Sequence, residues 1–410
     1  MSFKPRPKIK LLLIAPYFDA NVPGESWSTY KWVEGLSLWC DVTVLTTHSR
    51  GWDKSSSPTN AVEVVDWQDV SLPARFARIN HEMAPGYVIF YHRARKWIKR
   101  RIRLGWDFDL VHQINPLALR YPSPAAALGI RYVIGPLAGS LSTPSGFAAE
   151  GTDKQWFRKL RHLDKLRLRI DPYLRRTYAD AALVLGVAPY VEDLLAQSCL
   201  KRFAIISETG VDSVSNVPRA ARTIEEPLRL LFVGRVIRTK GVIDAIRATA
   251  LALKHHSLRF DIIGDGDHLD ACREEVIRLG ISDHVCFHGR LPRSELNQWY
   301  RSADVFLFPS FREPSGNVVF EALMHGMAVI TCSVGGPGYV VDDTCGIRVV
   351  PTNPSEYAER LSDAVLEMAT CPERLTKMSA AATARLEKIA LWRIKIETML
   401  GLYAEILRVC

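Results

Sequence analysis

The sequence predicts an α/β protein of two or three domains built on parallel sheets, and three observations carry that prediction. Val305 to Phe308 is a short apolar run ended by Pro309, and Asn317 to His325 carries helical spacing closed by Gly326, so residues 304–326 read as strand, polar loop and helix. The chain start repeats the alternation: Lys8 to Ala15 reads as a strand, Trp27 to Leu38 as a helix and Asp41 to Thr46 as a second strand, the βαβ unit of a parallel sheet. A length of 410 residues suits domains of roughly 100 to 200 residues each.

Composition sets the class. With 48% hydrophobic and 24% charged residues, the chain has core enough for an ordinary globular protein. The eight cysteines stand singly, without a C-x-x-C pair, which points to reduced thiols in a cytosolic compartment. Lys4 to Lys10 followed by Leu11 to Ala15 superficially resembles a signal peptide, but the apolar stretch is short and Pro16 ends it. No apolar run approaches 18 residues, so no membrane-spanning helix is expected.

The loop Glu313-Pro314-Ser315-Gly316 ends where its helix begins, so the amides near Gly316, Asn317 and Val318 should point out of a helix N-terminus. Unpaired N–H groups and the helix dipole make such a terminus a phosphate site. Glu321 lies one turn beyond Asn317 on the same face. A glutamate beside a phosphate cradle suits a neutral partner rich in donors, and a ribose diol is one; Glu313 could accept hydroxyls from a sugar in the same way. With seven residues between them, Glu313 and Glu321 in Phe-Arg-Glu-Pro-Ser-Gly-Asn-Val-Val-Phe-Glu-Ala-Leu-Met-His-Gly resemble the E-x7-E signature of retaining nucleotide-sugar glycosyltransferases of family 4. The resemblance implies the GT-B fold, two Rossmann-like domains with parallel sheets facing a central cleft. It also implies metal-independent transfer of a sugar from a nucleotide-diphosphate donor, and no cofactor.

Taken in order, the first domain spans residues 1–212. After strand one, family members carry glycines that approach the donor diphosphate, and Gly24 is the match in Pro23-Gly24-Glu25-Ser26. Phe108 to Pro116 is a strand ending in polar residues; His112 resembles the family histidine that meets the transferred sugar or the acceptor. This chain has Ile114 where a second histidine is common, which leaves Asn115 as the other candidate for that role. Arg131 to Ser140, Ala181 to Gly186 and Phe203 to Ser207 read as further strands. Glu208 to Asp212 resembles the turn that closes the family's first domain, and the polar stretch 213–227 reads as a linker.

The second domain, residues 228–388, opens with the strand Leu228 to Val233 and then Arg235 and Lys240, which match the arginine and lysine that the family places on the donor diphosphate. Asp244 and Arg247 read as helix surface. Gly264 and Gly266 follow another strand, but Leu269 stands where a dinucleotide motif needs its third glycine, so a turn is the better reading. Arg290, after the strand Val285 to Gly289, resembles the family position beside the nucleotide base. Gly335, Gly336 and Gly338 resemble the family's later glycine-rich loop, and residues 389–410 a final helix crossing back to the first domain.

The implied catalytic set is His112, Glu313, Arg235 and Lys240. The donor set is Gly24, Arg235, Lys240, Arg290, Glu313, Ser315, Gly316, Asn317, Val318 and Glu321, with a UDP- or GDP-sugar as donor. Residues 1–215 hold 29 Lys+Arg against 20 Asp+Glu, the whole of the +9 net charge. Arg93, Arg95, Lys96, Lys99, Arg100, Arg101 and Arg103, with Trp97 among them, read as one basic amphipathic helix, and Trp156 to Arg176 as another. An anionic membrane surface competes there with a plain solvated face; no nucleic-acid module accompanies the charge. The expected protein is therefore cytoplasmic, peripheral at the inner face of the membrane, and acts on a glycan or lipid-linked acceptor in surface polysaccharide biosynthesis. A GT-B phosphorylase or epimerase, or a catalytically silent membrane-associated binding subunit, are the competing readings.

Overall fold

A computed structural model of the chain describes residues 8–22, 24–48, 62–70, 85–150, 163–214 and 225–408. They separate into two compact units, one formed by residues 8–140, 163–210 and 392–408, the other by 141–150, 211–214 and 225–391. Most of the stretch read as a linker, residues 215–224, lies outside the described residues, as do residues 156–162 of the second basic stretch.

The first unit is a parallel sheet of seven strands: β1 (Ile9–Ile14), β2 (Cys40–His48), β3 (Val62–Gln68), β4 (Leu110–Gln113), β5 (Tyr132–Leu137), β6 (Leu183–Gly186) and β7 (Phe203–Ile205). Their spatial order is β3-β2-β1-β4-β5-β6-β7. Parallel strands covered on both faces read as continuous apolar runs, which is why Leu11 to Ile14 are wholly buried. Between β1 and β2 the helix Glu25–Ser37 presents Trp32, Val33 and Leu36 to the core. The last helix, Trp392–Arg408, packs on it: Trp392 meets Trp32 edge-on at 5.4 Å, and Gly35 leaves room for Ile396.

The second unit is a parallel sheet of six strands: β8 (Leu228–Val233), β9 (Leu258–Ile263), β10 (Val285–Gly289), β11 (Val305–Phe308), β12 (Ala328–Cys332) and β13 (Gly346–Val349), ordered β10-β9-β8-β11-β12-β13. Gly264 is needed for close approach: a Cβ there would lie 1.8 Å from the Gly234 carbonyl oxygen, so the turns after β8 and β9 press together backbone to backbone. That is the plain turn expected from the sequence.

Residues 141–150 depart from the domain division expected from the sequence. They pack in the second unit, where a 3-10 turn at Ser145–Glu150 carries Phe147. Its ring is 1% exposed, stacks on Phe311 at 4.4 Å and meets Tyr357 edge-on at 5.8 Å. The segment lacks hydrophobic periodicity, so nothing local marks Phe147 as an anchor.

Candidate active site

All six strands of the second unit are parallel, so the loops that follow them leave by one edge of the sheet. Strand order reverses between β8 and β11, because β8 leads to β9 on one side and β11 to β12 on the other. Ligands of open α/β sheets bind at such a reversal, beyond the carboxyl ends of the strands. The loop after β8 carries Arg235 and Lys240; the loop after β11 carries Glu313, Ser315 and Gly316.

These loops meet. Lys240 Nζ donates to Glu313 Oε2, and both side chains are largely buried. The other Glu313 oxygen accepts from the Gly316 amide at 3.2 Å. Gly316 is the residue before the helix Asn317–Met324 and has φ 82°, the left-handed region in which glycine is at ease. With glycine at that position no side chain caps the helix; the Val319 amide donates to the Gly316 carbonyl at 2.8 Å, which leaves the Asn317 and Val318 amides uncapped. The short helix Gly335–Val340 braces the loop from outside: the Gly336 amide donates to the Glu313 carbonyl at 3.0 Å. Arg235 is exposed and its guanidinium makes no ion pair among the described residues; Arg290 is exposed at the end of β10, on the same edge.

Glu321 sits one turn into its helix, with each carboxylate oxygen engaged. Oε2 accepts from the Tyr300 hydroxyl at 2.9 Å and Oε1 from Arg293 at 3.2 Å. Both donors lie on the helix Arg293–Ser302, seven residues apart and so on one face. Sequence reasoning missed them, although that i, i+7 spacing was available.

Beneath Lys240 lies a buried ion pair. Arg238 Nη1 and Nη2 meet Asp244 Oδ2 and Oδ1 at 2.6 and 3.0 Å, with Asp244 wholly buried. Asp244 is therefore not helix surface as expected from the sequence. Its neighbour Arg247 is likewise engaged, with Glu275 at 2.6 Å.

In the first unit, two of the sequence expectations fail on burial. His112 is 0% exposed, with Nδ1 2.5 Å from the Tyr403 hydroxyl and Nε2 2.7 Å from the Gly135 carbonyl oxygen. Asn115 is also 0% exposed and binds the Tyr17 backbone and the Thr29 hydroxyl. Both are core residues with their polar atoms occupied, so neither is placed to meet a sugar. Gly24 has φ 89° and open space about its Cβ position. The order of this sheet reverses between β1 and β4, and the partly buried Glu25 bridges there, accepting from the Leu117 amide at 2.8 Å.

Burial lowers the His112 pKa from 6.5 to about 4, and burial, aided by Glu208, raises that of Glu25 from 4.5 to about 7. Below pH 6.5 the unfolded chain binds a proton at His112 that the folded chain refuses, so stability falls as pH drops toward 4. Glu25 runs the other way: its contribution is present below pH 4.5 and lost as pH rises to 7. Between pH 4.5 and 6.5 the two slopes oppose. Glu25→Gln should therefore unmask the His112 slope, a loss of about 3 kcal/mol on going from pH 6.5 to 4. Urea unfolding of both proteins across that range measures it, and parallel profiles would refute it.

The helix Gly86–Gly105 divides the eight residues expected at a membrane. Arg93 donates to the Gln68 carbonyl at 3.0 Å, and Arg95 to those of Pro124 and Ala126 at 3.0 and 2.7 Å. Arg101 binds Asp107 and lies against Trp97. These four serve the protein's own packing. Lys96, Lys99, Arg100 and Arg103 form the exposed stripe, near exposed Val88, Ile89 and Leu104. Among the described residues no helix is long and apolar enough to cross a membrane.

Residues 216–385 match the family model for glycosyl transferases group 1. The D-inositol 3-phosphate glycosyltransferase of Streptomyces bingchenggensis is 35% identical over 369 residues, which cover 82% of this chain and 72% of that protein. The chain belongs to the group 1 glycosyl transferases. Other members match over shorter stretches: the chain spans 37% of an uncharacterized glycosyltransferase of Methanocaldococcus jannaschii and 45% of the D-inositol 3-phosphate glycosyltransferase of Kribbella flavida. The fold of this group 1 glycosyl transferase resembles sucrose-phosphate synthase from Thermosynechococcus elongatus, with TM-score 0.64 and 18% identity over 98% of this chain and all of the other. It also resembles Anabaena HepE solved with UDP and glucose, with TM-score 0.59 and 15% identity over 96% and 99% of the two chains. Two Rossmann-like parallel sheets and these neighbours make the fold GT-B.

Proposed function

We propose that this group 1 glycosyl transferase is a retaining, metal-independent hexosyltransferase of family 4 that uses a nucleotide-diphosphate sugar. The observation that carries the reading is the convergence of Lys240, Glu313 and the uncapped helix terminus after Gly316 at the strand-order reversal of the second unit. Lys240, Arg235 and the amides of Asn317 and Val318 hold the diphosphate. Fixed positive charge there stabilises the phosphate oxygen as the glycosidic bond breaks, without a metal. Glu313 takes hydroxyls of the sugar and Glu321 those of the ribose. The departing phosphate oxygen draws the proton from an acceptor hydroxyl that attacks from the same face, which retains the anomeric configuration.

UDP is the first donor nucleotide to try, since Anabaena HepE was solved with it; a GDP-sugar is the second. A thermal-shift series with UDP, GDP, ADP and their sugars tests the reading. One nucleotide should raise the melting temperature of the wild type, and Glu321→Ala should weaken that shift. No shift with any nucleotide would favour a phosphorylase or a silent binding subunit.

The acceptor we propose is a lipid-linked glycan precursor of a surface polysaccharide, met by a protein peripheral on the cytoplasmic membrane. The support is the stripe Lys96, Lys99, Arg100 and Arg103 beside exposed Val88, Ile89 and Leu104. Four basic residues near an anionic surface contribute about 1 kcal/mol each. Changing all four to glutamine should abolish co-sedimentation with phosphatidylserine vesicles, and unchanged binding would remove the membrane from the account.

A further inference from the structure

Glu321 is held unequally by its two partners. Arg293 has an 85% exposed side chain and a single contact of 3.2 Å, so water competes for it freely. Tyr300 is 1% exposed. Its ring stacks on His325 at 5.3 Å with planes 9° apart and leans on Phe306 at 5.8 Å, so the hydroxyl stays where Glu321 is. Burial and the adjacent carboxylate keep that hydroxyl protonated by raising its pKa well above 10.

An ionised carboxylate offers about four lone-pair positions. Tyr300 uses one on Oε2, and Arg293 uses one on Oε1. Two remain, and a ribose presents two vicinal hydroxyl donors. A glutamate without a fixed partner would have to give up rotamer freedom when the ribose arrives; one already held by a buried phenol gives up less.

We propose that Tyr300 is a positioning residue for ribose recognition, its buried hydroxyl holding Glu321 in the rotamer whose free lone pairs accept the 2′ and 3′ hydroxyls of a nucleoside diphosphate. This rests on the reading that Glu321 receives the ribose. Tyr300 does not touch the nucleotide; it acts through Glu321. Because Tyr300 and Glu321 come from separate helices on either side of β11, their bond also ties the helix after the phosphate loop to the helix before the strand.

The test is calorimetric titration of the whole chain with UDP and 2′,3′-dideoxy-UDP, and with GDP and its dideoxy analogue in parallel. Wild type should prefer the ribose form by about tenfold or more. Tyr300→Phe, which deletes only the hydroxyl, should bind UDP or GDP about five- to tenfold more weakly and the dideoxy form unchanged, so the preference collapses. An equal loss for both forms would show that Tyr300 merely packs, and would overturn the proposal. A preference intact in Tyr300→Phe but lost in Glu321→Ala would overturn it too, and leave the role of Glu321 standing. No ribose preference in wild type would overturn both. A double-mutant cycle with Glu321→Gln guards against a general fold defect: the losses should fall short of additive if the hydroxyl works through the carboxylate, and additive losses would reject the coupling.

Discussion

Lys240→Ala is expected to lower kcat/KM by about 100- to 1000-fold, the cost of removing one fixed donor from the proposed site of developing charge. The arrangement accounts for so large an effect from one side chain. Lys240 ends a 3-10 turn at Arg238–Lys240, and Gly241, at φ 73°, turns the chain at once into the helix Val242–Ala252. The ammonium group lies 5.4 Å from the Phe308 ring and pairs with Glu313. On the proposed function, removing it deletes a cation from the diphosphate site and also leaves Glu313 without its counter-charge. Both changes oppose the transition state. Lys240→Arg restores the charge with a different reach, so part of the rate should return. Steady-state kinetics with the sugar nucleotide selected by thermal shift decide the matter, with the melting temperature of the free enzyme as the control for folding. A loss smaller than threefold would move the diphosphate away from Lys240.

The segment from Val305 to Gly326 was legible because its signals are local. A buried parallel strand is a bare apolar run, and a helix declares itself by spacing and by its closing glycine. What went unread depends on partners distant in sequence or on burial. His112 ends up in the core because the alternation along β4 turns it toward Tyr403, 291 residues later, and no local pattern announces that meeting. Asp244 resembles an ordinary acidic residue in a first helical turn; its partner Arg238 precedes the helix, so i, i+4 reasoning has no purchase on the pair. β3 is half-exposed along its length, and Val62 to Gln68 lacks the apolar run that marked the inner strands. The basic helix shows the same limit from another side. Composition counted eight surface residues, whereas Arg93, Arg95, Trp97 and Arg101 spend their polar or apolar surface on the protein itself.

Asp244→Ala is expected to destabilise the second unit by about 3–5 kcal/mol, because it takes the bidentate carboxylate away from a buried guanidinium. Arg238 is 8% exposed, and its guanidinium carbon lies 5.3 Å from the Phe147 ring centroid and 5.2 Å from that of Phe311. Aromatic faces offer a cation some compensation, but less than a bidentate carboxylate. Urea unfolding should show an earlier transition for the unit that contains β8 to β13, and the two units need not unfold together. The double variant Arg238→Met with Asp244→Leu separates charge from packing. Replacing a buried pair by apolar side chains is often neutral or stabilising, and a methionine can fill irregular space against Phe147 and Phe311. Recovery of most of the lost stability in the double variant would mean that the pair costs the unit more to break than it contributes when whole. The pair, whose members flank Lys240 in the chain, would then serve the placement of that lysine, and the double variant should remain folded while losing donor affinity. A double variant as unstable as Asp244→Ala would place the importance of the pair in stability itself.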